Sequence, residues 1–146
     1  MRMTDEIKKL IGTLNPIPIA TCDCEADEER KSSVNLIFVT FLKVYDDETL
    51  LIANNKFYKT MRNLNKNPNV SIALYNPDNN RSFQLKGKAS VYLEGEIFEE
   101  TVQWVQSGRP NINPQAAVLV HIEKIYSKAK RLVEQNGELT FVRGII

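Results

Sequence analysis

The segment best suited to chemistry runs from Asn54 to Leu64, where a polar loop leads into a predicted helix. An apolar strand ends at Ala53, and Lys59 and Thr60 fall in or beside the first turn of that helix. Free backbone N–H groups and the positive dipole end of a helix attract phosphate, and a lysine charge and a threonine hydroxyl add to the attraction. The pattern indicates a phosphate site, although a solvated helix start with an exposed lysine explains the same residues.

The charge balance and the single histidine narrow the chemistry available to the chain. The 146 residues include 19 basic and 18 acidic residues, which gives a formal net charge of +1. Proteins that bind nucleic acids or anionic membranes usually carry an excess of positive charge, which this chain does not have. We therefore expect a small molecule or another protein as partner. His121 is the only histidine, which argues against a multi-histidine metal site or a histidine-based triad. Reactivity is therefore expected to come from a bound cofactor.

The cysteines and the lengths of the apolar runs indicate the cellular compartment and its redox state. Cys22 and Cys24 form a single C-x-C pair, which is a weak metal signal, and we expect ordinary half-buried thiols. No apolar run approaches 18 residues, and the charged residues that follow Met1 do not resemble a signal peptide. These features predict a cytoplasmic, reduced protein without a metal site. Because no linker or repeat divides the chain, residues 1–146 are expected to form one domain.

Apolar periodicity and turn residues predict short antiparallel strands with three helices. The helices are expected where apolar residues recur at helical spacing, over residues 4–14, 57–65 and 94–106. Strands are expected over residues 17–22, 34–44, 50–53, 70–75, 83–93 and 117–126, followed by a hairpin that turns at Asn136-Gly137. Turns rather than crossover helices join these strands. The sequence therefore predicts a mainly β fold, a β-barrel with flanking helices.

The order of short motifs along the chain resembles the pyridoxamine 5′-phosphate oxidase-like family of FMN-binding split barrels. The matching motifs lie within residues 5–127 and are, in chain order, Ile17-Pro18-Ile19-Ala20-Thr21, Phe41-Leu42-Lys43-Val44, Leu50-Leu51-Ile52-Ala53-Asn54, Tyr58-Lys59-Thr60 with Asn63-Leu64, Leu85-Lys86-Gly87-Lys88-Ala89 and Ala117-Val118-Leu119-Val120-His121-Ile122. The resemblance implies an antiparallel, Greek-key-like split barrel. It also implies a non-covalently bound FMN, with FAD or a deazaflavin as alternatives.

The resemblance further implies which residues hold the cofactor. Lys59 and Thr60 match the positions that bind the phosphate of FMN. The isoalloxazine ring is expected along two strand segments, which contain Phe38, Val39 and Thr40 and then Ala53 and Asn54. For Phe38 and Val39, a place in the barrel core is the alternative.

The resemblance implies a homodimer with a flavin at each subunit interface. The strand that matches the partner's contribution contains Arg81, Ser82 and Gln84. The implied function is that of an FMN-dependent oxidoreductase or flavin reductase, which passes hydride or electrons to a small-molecule substrate. A flavin-binding or sensing module without turnover is the alternative, and no residue is assigned a catalytic role.

The sequence departs from the family pattern at three places. True pyridoxamine 5′-phosphate oxidases meet their substrate with an arginine-leucine-histidine segment, whereas this sequence has Phe141-Val142-Arg143-Gly144-Ile145-Ile146 there, so we do not expect that specific activity. Phe38 stands where the family has a basic residue, which would make phosphate binding depend more on Lys59. A charged stretch from Glu25 to Lys31 replaces a glycine-containing turn.

Overall fold

In the computed structural model, which describes residues 1–23 and 33–144, the chain forms nine strands and three helices within those ranges. The helices are α1 (Asp5–Thr13), α2 (Lys59–Lys66) and α3 (Glu96–Gly108). The strands are β1 (Ile17–Cys22), β2 (Val34–Val39), β3 (Leu42–Asp46), β4 (Thr49–Asn54), β5 (Asn69–Asn76), β6 (Arg81–Tyr92), β7 (Ala116–Ser127), β8 (Lys130–Gln135) and β9 (Glu138–Arg143).

All strand pairs are antiparallel, and the described strands form one sheet in the order β2-β1-β5-β6-β7-β4-β3. The hairpin of β8 and β9 joins the sheet through β7. Its turn has positive φ angles at Asn136 and Gly137, as the sequence predicts for a type I′ turn. The prediction of a mainly β, antiparallel fold with flanking helices is confirmed.

The sheet curls around one apolar core. Val39 on one edge strand and Leu42 on the opposite edge strand belong to the same cluster of buried side chains. Only Thr40 and Phe41 separate these strands in sequence, so the two edges of the sheet must come close together. Helix α1 packs against this core through Ile7 and its neighbours, and the Oγ1 of Thr4 caps the helix by accepting a hydrogen bond from the Ile7 N–H.

The prediction of one continuous strand over residues 34–44 is wrong, because the structure has two separate strands there. The chain leaves β2 at Val39 and enters β3 at Leu42, and the two strands pair with β1 and β4 at opposite edges of the sheet. No glycine or proline lies at the break, so the sequence carries no local turn signal there. The apolar run is interrupted because its two halves pair with different strands.

Helix α3 packs against β4 and β7. Thr101 and Val105 are its buried residues, whereas Trp104 is half-buried. The Trp104 ring meets the edge of Phe41 at a centroid distance of 5.6 Å, and the Lys43 ammonium lies 4.5 Å from the Trp104 ring centroid. Trp104 therefore anchors α3 to the start of β3.

Two sequence-based expectations concern the region after β1. Cys22 does not carry a free thiol in the structure, so the expectation of ordinary thiols is wrong for this residue. Cys24 and the charged stretch from Glu25 to Lys31 lie outside the described residues. None of the helices within residues 1–23 and 33–144 combines the length and the hydropathy that a membrane-spanning helix needs.

Gly87 marks a tight contact within the sheet and generates a stability prediction. It follows a shift in the register between β6 and β7, and a Cβ placed on it would lie 2.3 Å from the carbonyl oxygen of His121. Because that neighbour is backbone, we expect Gly87→Ala to lower the free energy of unfolding by about 1–3 kcal/mol. Urea denaturation followed by circular dichroism measures this change.

Gly12 provides the matched control for this prediction. It lies in α1, where a Cβ would meet nothing within 4 Å. Gly12→Ala is therefore expected to leave the stability unchanged or to raise it by up to about 1 kcal/mol. Equal stabilities of the two variants would contradict the contact described at Gly87.

Candidate cofactor site

The turn after β4 is shaped by the side chain of Asn54. This residue is 2% exposed, and its Oδ1 accepts a hydrogen bond of 2.7 Å from the Phe57 N–H. Its carbonyl oxygen accepts a second bond of 2.7 Å from the Gln115 N–H. An asparagine that binds the backbone a few residues ahead stabilises a turn in place of a helix. Helix α2 consequently begins at Lys59, and the predicted start at residue 57 is wrong by two residues.

A cleft of about 330 Å³ lies between the end of β2 and this turn. Four of the five residues predicted to lie along a flavin ring border it, and Asn54, which forms the turn beneath, is the fifth. The segment between α3 and β7 closes one side. The lining residues are Phe38, Val39, Thr40, Phe41, Ala53, Asn55, Lys56, Phe57 and Ile112.

Phe38 and Val39 have opposite environments because successive strand residues point to opposite faces. Val39 is 2% exposed and belongs to the core, so the alternative of a core position holds for its side chain. Phe38 is 68% exposed, so that alternative is wrong for Phe38. A large aromatic side chain at the border of a cleft offers a flat apolar surface to a ligand.

Asn55 lines the cleft and carries a polar atom that has no hydrogen-bond partner. Its Oδ1 is buried and has no hydrogen-bond partner, and it is the one side-chain atom of this kind among residues 1–23 and 33–144. Sequence analysis did not single out Asn55, because its type and position resemble those of its neighbour Asn54, whose oxygen is bonded.

The start of α2 lies two residues beyond Phe57 in the cleft wall and carries positive charge. Tyr58 precedes the helix without a side-chain cap, so the first turn keeps N–H groups that a ligand can use. Lys59 is exposed and forms no ion pair with any residue that the structure describes. This combination favours an anion at the helix start.

Thr60 is buried and oriented by an asparagine. Its Oγ1 accepts a hydrogen bond of 2.9 Å from the Nδ2 of Asn35 on β2, which leaves the hydroxyl hydrogen of Thr60 free to donate. One turn later, the Nδ2 of Asn63 donates to the Oγ1 of Thr21 on β1 over 3.2 Å. These two Asn–Thr bonds attach α2 to the sheet. The sequence did not indicate Asn35, and it indicated Asn63 only as part of a matching motif, because their bonding partners lie 25 and 42 residues away.

Arg81, Ser82 and Gln84 lie away from this cleft within one chain. Ser82 and Gln84 line a different cavity of about 490 Å³ beside β1, β5 and β7. Arg81 forms an ion pair with Glu6, and its guanidinium carbon lies 5.1 Å from the Phe83 ring centroid. Strands β1 and β5 separate β6 from β2 in the sheet, so the three residues do not join the cleft of their own chain.

The sequence also matches a known protein family over most of its length. A family model described as pyridoxamine 5′-phosphate oxidase matches residues 3–129. The chain belongs to the pyridoxamine 5′-phosphate oxidase family. The match includes the cleft and the start of α2, and it confirms the resemblance noted in the sequence.

One curated relative is an uncharacterized protein of Methanocaldococcus jannaschii. It is 33% identical over 95 residues, which are 64% of this chain and 63% of that protein. The matched segment therefore spans less than two thirds of the relative's length.

Solved structures of similar fold support the split-barrel assignment. HupZ of Group A Streptococcus has a TM-score of 0.70 at 24% identity, covering 86% of this chain and 93% of that one. An FMN-binding protein of Syntrophomonas wolfei has a TM-score of 0.69 at 21% identity, covering 82% of each chain. A structure named F420 reductase has a TM-score of 0.54 at 14% identity, covering 85% of this chain and 98% of that one. The predicted split-barrel fold is confirmed.

Proposed function

We propose that this protein binds FMN non-covalently and acts as an oxidoreductase on a small-molecule substrate. The observation that carries the proposal is the uncapped, lysine-bearing start of α2 beside a cleft lined by an exposed aromatic ring and by Asn55, whose buried amide oxygen has no partner. FMN has matching parts, a flat ring with a polar edge and a phosphate. The FMN-binding protein of the same fold supports the assignment.

The proposed phosphate site consists of Lys59 and Thr60. Lys59 supplies a positive charge beside the positive end of the helix dipole. Thr60 supplies a hydroxyl hydrogen, because its oxygen already accepts from Asn35. Charge-assisted hydrogen bonds of this kind are stronger than neutral ones, which suits an ionised phosphate.

The proposed ring site is the cleft itself. Phe38 packs against the ring, and Thr40, which links β2 to β3, offers polar groups to the ring edge. Ala53 leaves room for the ring, while Asn54 holds the turn and acts on the cofactor only through that turn. The aromatic lining, completed by Phe57, excludes water from the ring.

The role of the chain in the reaction is to position and shield. Bound FMN supplies hydride or electron transfer, so the protein does not have to provide an acid or a base for that step. The arrangement of Phe38, Thr40 and Phe57 determines which face of the ring remains open to a substrate.

We further propose a homodimer in which each cleft is closed by the second copy. Strand β2 carries an outward apolar stripe of Val34, Leu36 and Phe38, which are 73%, 65% and 68% exposed. Large exposed apolar patches mark interaction surfaces. Phe38 belongs to both the stripe and the cleft, so a partner on the stripe also covers the cleft. Arg81, Ser82 and Gln84 then act on the cofactor of the other subunit.

FMN binding is tested by titrating the purified protein with FMN and following flavin fluorescence and thermal unfolding. At about 100 times its dissociation constant, FMN should add roughly 2.7 kcal/mol to the free energy of unfolding. Mass spectrometry of the released small molecule identifies FMN, FAD or a deazaflavin. A protein that releases no flavin and gains no stability from any of these compounds would contradict the proposal.

The phosphate site is tested by Lys59→Ala. We expect this variant to bind FMN more weakly by about 1.5–3 kcal/mol, because a charge-assisted hydrogen bond to the phosphate is lost. Its affinity for riboflavin, which has no phosphate, should equal that of the wild type. Lys66→Ala, at the other end of α2, is the matched control and should bind FMN normally. A Lys59→Ala protein with normal FMN affinity would place the phosphate elsewhere.

The dimer is tested by Leu36→Asp. We expect light scattering to show a monomer, because a charge in the apolar stripe opposes association. The FMN affinity should fall about tenfold or more, because the second copy no longer closes the cleft. Leu93→Asp is the control, since Leu93 is 67% exposed but lies outside the stripe. A Leu36→Asp protein that stays dimeric with full FMN affinity would contradict this interface.

A deazaflavin is the second candidate cofactor, favoured by the structure named F420 reductase. A flavin-binding or sensing module without turnover is the second candidate role. Stopped-flow mixing of the loaded protein with NADH or NADPH separates the roles, because rapid loss of flavin absorbance supports an oxidoreductase. Inertness toward both donors supports a binding module.

A further inference from the structure

The buried oxygen of Asn55 requires a hydrogen-bond donor that the described chain does not supply. Buried polar atoms in proteins are almost always paired, because burial removes the hydration that an unpaired atom would otherwise keep. Among residues 1–23 and 33–144, the Oδ1 of Asn55 is the single recorded side-chain exception. An exception of this kind calls for a physical explanation.

Comparison with the preceding asparagine shows that the fold does not explain Asn55. The Oδ1 of Asn54 accepts from the Phe57 N–H and thereby fixes the turn. The side chain of Asn55 makes no such bond, although it comes from the same turn. Asn55 lines the cleft together with Phe38 and Ala53, so its missing donor is expected to come from whatever fills the cleft.

We propose that, when the ring binds, the Asn55 side chain turns its buried Oδ1 toward the cleft, where it accepts a hydrogen bond from the imide N–H of the ring and thereby selects the edge of the ring that enters the cleft. This inference rests on the proposed binding of a flavin. In an oxidised isoalloxazine, the imide N–H at N3 is the ring's N–H donor, and deazaflavins carry the same imide. Asn55 is therefore a specificity-determining residue for the group that both candidate cofactors share.

The test compares two ligands on two proteins. The ligands are FMN and 3-methyl-FMN, which lacks the imide hydrogen, and the proteins are the wild type and Asn55→Leu, which keeps a similar side-chain size without an acceptor. We expect Asn55→Leu to bind FMN about tenfold more weakly than the wild type does. Both proteins should bind 3-methyl-FMN with nearly equal affinity, because neither complex contains the hydrogen bond. This cycle separates the bond from any steric effect of the methyl group.

Two further measurements separate this role from a merely structural one. The ligand-free Asn55→Leu protein should be at least as stable as the wild type, because the substitution removes a buried, unpaired acceptor. With 15N-labelled FMN, the N3 proton should resonate further downfield in the wild-type complex than in the Asn55→Leu complex.

The outcomes distinguish this inference from the proposed function. Equal FMN affinities of the wild type and Asn55→Leu, with an unchanged N3 proton signal, would overturn the role of Asn55 while leaving FMN binding intact. A wild-type protein that binds neither ligand would overturn the proposed function and this inference with it.

Discussion

The hydrogen bonds of Ala53 and Asn54 at the end of β4 are the constraint on which the cleft depends. They join three parts of the chain to the end of β4, because the Oδ1 of Asn54 accepts from the Phe57 N–H, the carbonyl oxygen of Asn54 accepts from the Gln115 N–H, and the Ala53 N–H donates to the carbonyl of Phe41 at 3.0 Å. These bonds set the exit of β4, the link between β2 and β3, and the approach to β7. The same three segments form walls of the cleft, so these bonds determine its shape, and the Asn54 side chain also determines the point at which α2 begins.

Helix α2 depends on the sheet for its position. Eight residues are too few for a stable isolated helix, so tertiary contacts must hold it in place. Buried Leu64 supplies apolar contact, and the bonds of Asn35 to Thr60 and of Asn63 to Thr21 supply directed polar contacts. The directed bonds fix the rotation of the helix about its axis, which apolar packing alone specifies less well. They therefore fix where the first turn of α2, with Lys59 and Thr60, lies relative to β1 and β2.

The sequence predicts the elements well where local patterns decide them. The hairpin turn at Asn136-Gly137 and the first helix, expected over residues 4–14, follow from the residues present, and both are found. The break after Val39 and the delayed start of α2 could not be predicted in this way. A long-range strand pairing decides the first, and a side-chain bond that competes with the helix decides the second.

The candidate site shows the same division. The alternation of Val39 and Phe38 between core and surface follows from strand geometry once the pairing is known, but the sequence alone left both assignments open. Asn35 and Asn55 were missed because an asparagine gives no periodic signal, and only the structure shows which oxygen is paired. Arg81, Ser82 and Gln84 were predicted from the resemblance alone, and the role proposed for them requires the proposed second copy of the chain.

The central claim is that a flavin ring lies in the cleft with its phosphate at the start of α2. Chemical-shift mapping tests this claim most directly, with 15N-labelled protein titrated with FMN. The account predicts that the largest amide shifts fall in residues 38–41, 53–57 and 59–60. Shifts confined to the cavity beside Ala73 and Tyr126, or no shifts at all, would contradict it.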